Sequence, residues 1–471
     1  VSSPNVLLVV LDSVRAANTS LHDHRRETTP FLSSFASTAT VYGQARAPST
    51  WSLPSHASIW TGESVPSHGI EITTTADEGH SVWDALGAAG YETGVFSSNV
   101  YVTDHPVGLG EPFDTVCGVP SEVPADHQQP GDFEMEAPTG FWYADQFLDW
   151  VDDRRGGSGP TDSAASGDDT EPWAACVNVM DGHRPYLPLP TYDEWGDEEA
   201  RRLQSEIGRG QFVWQFYGDR HPFWYLDALE RLYDGAVRQA DAVVERVVGG
   251  LAERGLLDGT LVVITADHGD GLGEPSPVPD GPASVAHTLG THEHLTHVPL
   301  LVRAPGQTTP RRVDDLATPA RFPAAVDRWV SSVSGFADET PDEAAARDTD
   351  DGTFTTPELL VYRRPVDGPK LRTAREFCGD DHERYVSVSA ALYRDLVGTD
   401  VEKLAYWDGE AVRVHAHDAQ GRLRTGTGDP TVVTDRVAAE RAGPSLATPR
   451  EQDEAELPDE VLNHLANIGY R

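Results

Sequence analysis

The chain has 471 residues, 76 acidic and 36 basic side chains, and a formal charge of −40. That length suits a large α/β core with a lesser unit attached. The charge excludes nucleic acid and an anionic membrane as main partners, because binding phosphates takes a basic face.

In chain order, the first element is an apolar run, residues 5–12 (NVLLVVLD), that delivers Asp12 at its end. Residues 50–62 (TWSLPSHASIWTG) read as a loop opening into a helix, with Ser52 at its mouth and Pro54 in the first turn. Residues 81–99 (SVWDALGAAGYETGVFSSN) read as helix, glycine stop and strand. A second apolar run, residues 174–181 (AACVNVMD), delivers Asp181. Residues 232–255 place Leu232, Val237, Ala240, Val244, Val247 and Leu251 on one helical stripe, with Gly255 as the stop. A third run, residues 260–268 (TLVVITADH), delivers Asp267 and His268.

Apolar runs without alternation suit strands buried on both faces, as in a parallel sheet with helical crossovers. Ligands of such sheets bind beyond the carboxyl ends of the strands, which predicts Asp12, Asp181 and Asp267 along one rim. Residues 153–172, 274–284 and 338–353 are acidic or Gly/Ser/Pro-rich and read as surface loops. Beyond about residue 370 short strands and turns follow, with Asp408-Gly409 as one turn, and the end reads as a short amphipathic helix. The expected division is a catalytic α/β unit over residues 1–370 and a smaller α+β unit with antiparallel strands over residues 371–471.

Acid spread along the whole chain reads as adaptation to high salt, where screening removes self-repulsion; an acidic interaction surface is the alternative. Lysine occurs only at Lys370 and Lys403. Cys117, Cys176 and Cys378 offer neither a disulfide framework nor thiolate metal spacing. No signal-like segment opens the sequence, and no apolar run approaches the ~18 residues of a membrane span, so a cytoplasmic protein is expected.

Asp12, Asp267 and His268 offer two carboxylates and an imidazole, and Ser52 can add a hydroxyl. Such an oxygen-rich set with one nitrogen suits a divalent cation: Ca²⁺, Mn²⁺ or Mg²⁺, with Zn²⁺ also compatible. A cation beside a hydroxyl makes it a nucleophile near neutral pH. Taken alone, Ser52 reads equally as a helix N-cap and each Asp as a turn former.

The ordered set PNVLLVVLDSVRA, APSTWSLPSHASIWTGESVPSHGI, GYETGVFSSNVYV, NVMDGHRPYLP, LYDGAVRQADAVVERV, TLVVITADHGDGLGE, THEHLTHVPLLVRAP and LANIGY resembles the sulfatase family of the alkaline phosphatase superfamily. It covers about residues 4–305 and the last few. The resemblance implies an α/β fold with a mostly parallel, alkaline-phosphatase-like central sheet, and one site for a sulfate or phosphate ester of a small molecule or glycan. It implies Asp12, Ser52, Asp267 and His268 as metal ligands, one Ca²⁺ by family, and Ser52 in the catalytic position. His183 and His287 are implied as anion-contacting or proton-donating groups, with His292 a rival for the latter role. His56, His292 and Asp181 complete the expected substrate contacts. A second metal on Asp181, His183 and His287 is the less favoured arrangement.

Two departures stand out. Asp12 is followed by Ser13 where many sulfatases carry a second Asp. His56 stands where the sulfatase motif has arginine, which argues against formylglycine at Ser52. Three functions remain open on sequence: a sulfuric ester hydrolase, a phosphoric mono- or diester hydrolase or phosphoglycerol-type transferase with unmodified Ser52, and a non-catalytic anion-binding protein. The oligomeric state is not legible.

Overall fold

The computed structural model describes residues 3–129, 137–154, 171–207, 211–330, 333, 352–395, 401–416 and 423–449. The expected loops at 153–172 and 338–353 fall mostly outside them, and the C-terminal helix entirely.

Eight strands form the main sheet: β1 (Asn5–Leu11), β2 (Thr40–Ala45), β4 (Glu92–Phe96), β5 (Thr115–Cys117), β6 (Trp173–Val179), β7 (Thr260–Thr265), β8 (Leu300–Arg303) and β9 (Arg311–Ala317). Their order is β5-β4-β6-β1-β7-β8-β2-β9. All neighbours run parallel except β8, which opposes both β7 and β2. The three apolar runs read from sequence are therefore the central strands β6, β1 and β7. Leu7, Val9, Val177, Val263 and their neighbours are enclosed on both faces, which explains why the runs show no alternation.

The helix Trp224–Glu253 buries its apolar stripe in the core it shares with the sheet, beside the helices Gly140–Arg154 and Glu198–Ile207, and Gly255 closes it with a positive φ of 68°. The helix Val82–Ala88 begins with a reciprocal capping box between Ser81 and Asp84. Tyr143 is buried in the core.

A second, antiparallel sheet has the order β10-β11-β12-β13-β14. Its strands are β10 (Glu358–Arg363), β11 (Ser389–Asp395), β12 (Val401–Trp407), β13 (Glu410–Ala416) and β14 (Leu423–Thr427). It starts ahead of residue 370, because ELLVYR has the same apolar character as the main-sheet strands and nothing in it marks a change of unit. Asp408 and Gly409 form the β12–β13 turn, both with positive φ. Finally β15 (Ala447–Pro449) returns to pair with β3 (Thr74–Ala76).

Buried ion pairs join the second sheet to the first unit. Glu293 lies between Lys403 of β12, 2.9 Å away, and Arg46, 3.0 Å away, and accepts the Tyr393 hydroxyl at 2.8 Å. Burial opposes a charged Glu293, but Lys403 and Arg46 outweigh it and hold its pKa far below the ordinary range.

Candidate active site

Strands β4, β6, β1 and β7 stand side by side, and each hands a polar residue to the same rim. Asp12 follows β1, with its N–H donating to Val179 O at the end of β6 (2.9 Å). Asp267 and His268 follow β7. The turn after β6 carries Asp181 and His183 around Gly182, where a Cβ would lie 2.8 Å from Asp12 O. Only glycine lets that turn approach Asp12 so closely.

Ser52 is the first residue of the helix Ser52–Thr61; Trp51 holds the N-cap position without a side-chain cap bond. The N-cap role considered for Ser52 is thus not the one it plays. Its Oγ donates to Asp12 Oδ2 at 3.1 Å and lies 3.2 Å from His268 Nε2.

The donor atoms of Asp12, Asp267 and His268 lie within 4.8 Å of one another. Among the described residues no other such group of three occurs. His268 Nδ1 faces Gly269 O at 2.8 Å, which turns Nε2 toward Asp267 Oδ2, 3.3 Å away. Burial and then the neighbouring Asp267 push the Asp12 pKa up. Burial disfavours a charged His268, yet Asp267 and Asp12 outweigh it and raise its pKa. Asp267 Oδ2 is enclosed and accepts no hydrogen bond. Two buried carboxylates crowded together, one with an unbonded oxygen, fit a dication: the cation would cancel the repulsion and fill the vacant acceptor. Asp267→Asn is expected to lower divalent-cation affinity about a hundredfold, a measured change of about 2.7 kcal/mol in titration calorimetry. An unchanged affinity would remove Asp267 from the ligand set.

Around this group stand two more imidazoles. The His287 ring centroid is 4.7 Å from that of His268 and 5.2 Å from that of His183. His287 Nδ1 lies 3.3 Å from Asp270 Oδ1, and Tyr186 donates to Asp270 Oδ2 at 2.6 Å. His183 Nδ1 lies 2.6 Å from Arg184 O. Burial lowers the pKa of His183 to about 3 and that of His287 well below its ordinary value, so both are neutral in the free protein.

The remaining expected residues are less central. His56 is fully enclosed behind the helix; its Nδ1 lies 2.9 Å from Ser52 O and 3.7 Å from Asp267 Oδ2. Its contact with Ser52 O braces the first turn of the helix. Asp181 accepts from Gly140 N at 2.9 Å and from the Gln239 amide, and it lines a small cavity with His183 and Arg184. His292 stands apart: its charged neighbours are Lys403, Glu274 and His294.

Sequence reasoning left three residues unassigned. Asn99, after β4, donates to Asp12 Oδ2 at 3.1 Å. Asp270 orients His287. Arg184 is buried, with its Nε lacking a hydrogen-bond partner. Each adjoins a residue or motif already singled out (SSN, DHGD, GHR), and adjacency was the available signal.

A mostly parallel α/β sheet gathers a cation-type cluster and a hydroxyl at its rim, an arrangement suited to ester hydrolysis. The Sulfatase family model matches residues 4–332, and the chain belongs to the sulfatase family. No curated protein sequence matches it. Among solved structures it is similar to a phosphonate monoester hydrolase from Silicibacter pomeroyi, with 18% identity, TM-score 0.58, and 93% of this chain and 94% of that one covered. A protein of the alkaline phosphatase superfamily from Vibrio parahaemolyticus matches at 14% identity and TM-score 0.54, over 94% and 86% of the two chains. A protein solved with its substrate D-glucosamine-2-N,6-O-disulfate matches at 14% identity and TM-score 0.57, over 99% and 97%. These likenesses are of fold. No helix among the described residues is long and apolar enough to cross a membrane.

Proposed function

We propose that the chain is a metal-dependent hydrolase of sulfuric esters or of their phosphoric counterparts, with Ser52 Oγ as the attacking atom. The position of Ser52 Oγ, 3.1 Å from Asp12 and 3.2 Å from His268 at the start of a helix, carries this reading. A cation held by Asp12, Asp267 and His268 would acidify the Ser52 hydroxyl; the donor set suits Ca²⁺, the family expectation, and also Mn²⁺, Mg²⁺ or Zn²⁺.

The chain's own groups supply the rest. A bond forms from Ser52 Oγ to sulfur or phosphorus while the bond to the leaving oxygen breaks. The Ser52 proton passes through an imidazole to that oxygen, and His287, held at Nδ1 by Asp270, is the carrier. Arg184 and His183 take the non-bridging oxygens, on which charge builds. Water then attacks the covalent intermediate, freeing the anion and restoring Ser52. The acid excess supports operation in high salt.

One observation favours phosphoric over sulfuric esters. His56 occupies the place of the motif arginine and is committed to Ser52 O, inside the protein. A plain serine hydroxyl suits attack on phosphorus. The mass of the proteolytic peptide holding Ser52 separates the two: unmodified serine is expected, and loss of a pair of hydrogens would mark formylglycine and the sulfate cycle. Failure to turn over either aryl sulfates or aryl phosphates with each of the four cations would sink the hydrolase proposal.

A further inference from the structure

The second sheet has two apolar faces. One meets the main sheet: Leu359, Val361, Ala391, Tyr393 and Val401 cluster with Leu316 of β9. The other carries Leu360, Tyr362, Ala390, Leu392 and Leu404, and the helix Pro430–Arg441 covers it through Val433. That cover is incomplete. A groove of about 450 Å³ runs between sheet and helix. Its floor is a cross-strand row, in which Tyr362 pairs with Ala390 and Ala390 with Tyr406. Its wall is Val433, Val437 and Ala438 of the helix. Tyr406 and Val437 are half-buried and Ala438 is exposed. A concave apolar surface open to water marks a place where another element binds.

The chain itself passes this groove. Two arginines line it beside Tyr362: Arg441, whose guanidinium carbon lies 5.0 Å from the Tyr362 ring centroid, and Arg364, which pairs with Glu71. Glu71 and Thr74 exchange hydrogen bonds, Glu71 N–H donating to Thr74 Oγ1 at 2.8 Å and that hydroxyl donating to Glu71 O at 3.1 Å. Thr74 in turn pairs with Pro449, the last described residue. Pro449 is therefore one tight turn from an ion pair at the rim of the groove, and residues 450–471 follow it.

The sequence of those residues suits the groove. Residues 450–456 span at most about 25 Å when extended, enough to lead past the arginines. Glu451, Asp453, Glu454, Glu456, Asp459 and Glu460 are acidic, and the arginines they would pass are exposed. Pro458 with Asp459 and Glu460 is helix-starting chemistry, and Gly469 is a stop. Between them Val461, Leu462, Leu465 and Ile468 recur on one face at helical spacing, with Asn463, His464 and Asn467 opposite. A helix this short is marginal alone in water and needs an apolar surface to hold it. We infer that residues 458–468 dock as an amphipathic helix in the groove of the same chain, between the second sheet and the helix Pro430–Arg441, with the acidic stretch before them against Arg364 and Arg441. The docked segment straps the second sheet to the β3–β15 seam, independently of the chemistry at Ser52.

Hydrogen exchange on the full chain tests this. Amides of residues 460–468 are expected to exchange about a hundredfold more slowly than in the free peptide of that sequence. Ala438→Trp fills the groove from an exposed position and is expected to speed that exchange about tenfold or more, whereas Ala439→Trp, next to it but outside the groove, leaves it unchanged. Leu465→Asp, on the segment itself, is expected to match Ala438→Trp, while amides of β1 and β7 stay protected in all three variants. Free exchange at 460–468 in the parent, or protection that survives both Ala438→Trp and Leu465→Asp, would overturn the docking. Protection that appears only as protein concentration rises would overturn it in favour of a second copy's groove. A small molecule retained in the native mass spectrum, with the segment exchanging freely, would overturn it in favour of a ligand.

Discussion

Replacing Ser52 by alanine is expected to lower kcat/KM by about 10⁴-fold or more on any ester the protein turns over, the scale seen when a covalent nucleophile is removed. The same substitution is expected to leave close to one divalent cation bound, because Asp12, Asp267 and His268 keep their places without the hydroxyl. Metal content and activity should therefore separate, which they would not if alanine merely disturbed the fold. Ser52 is fully enclosed and its Oγ touches Asp12 and His268, so the methyl group fills nearly the same volume. Activity within tenfold of the parent would exclude Ser52 as the attacking group.

Replacing Lys403 by methionine is expected to destabilise the protein by about 3 kcal/mol or more, the lower end of the range for breaking a buried ion pair by removing one partner. Methionine keeps the length and volume of the stem, so cavity formation contributes little. What changes is Glu293: it keeps Arg46 and the Tyr393 hydroxyl but loses the ammonium group 2.9 Å away. A buried carboxylate short of one cation is costly. Adding Glu293→Gln to Lys403→Met is expected to restore part of the loss, since the uncompensated charge goes with it. Denaturant titrations of the parent and both variants measure this. A shift in midpoint on Lys403→Met equal to that of an exposed charge change would show that the clamp contributes nothing.

The cluster of Asp12, Asp267 and His268 was legible in the sequence because these residues end apolar runs. Asp12 and Asp267 could hardly be elsewhere than at the strand ends of a parallel sheet, and Ser52 stands next to helix-starting chemistry. Orientation was not legible. VPLLV reads as a strand, but nothing in it says that β8 runs against its neighbours. Between Gly273 and Glu293 the chain has no helix and no sheet strand, so periodicity could not choose between His287 and His292. Asn99, Asp270 and Arg184 were invisible as site members for a related reason: each gains its role from the course of a loop, which residue spacing does not encode. His56 was the reverse case. Its place at the motif arginine suggested substrate contact; in the structure it is enclosed one helical turn from Ser52, on the same face, with its Nδ1 beside Ser52 O.

The pairing of β15 with β3 joins Ala447–Pro449 to Thr74–Ala76. Such a distant contact closes only after almost all of the intervening chain has been made, and closure entropy delays it further. During synthesis the main sheet can therefore assemble around Asp12 and Asp267 well before this seam forms. A ribosome stalled before Ala447 would hold a chain with Asp12 and Asp267 laid out on their rim and β15 still missing.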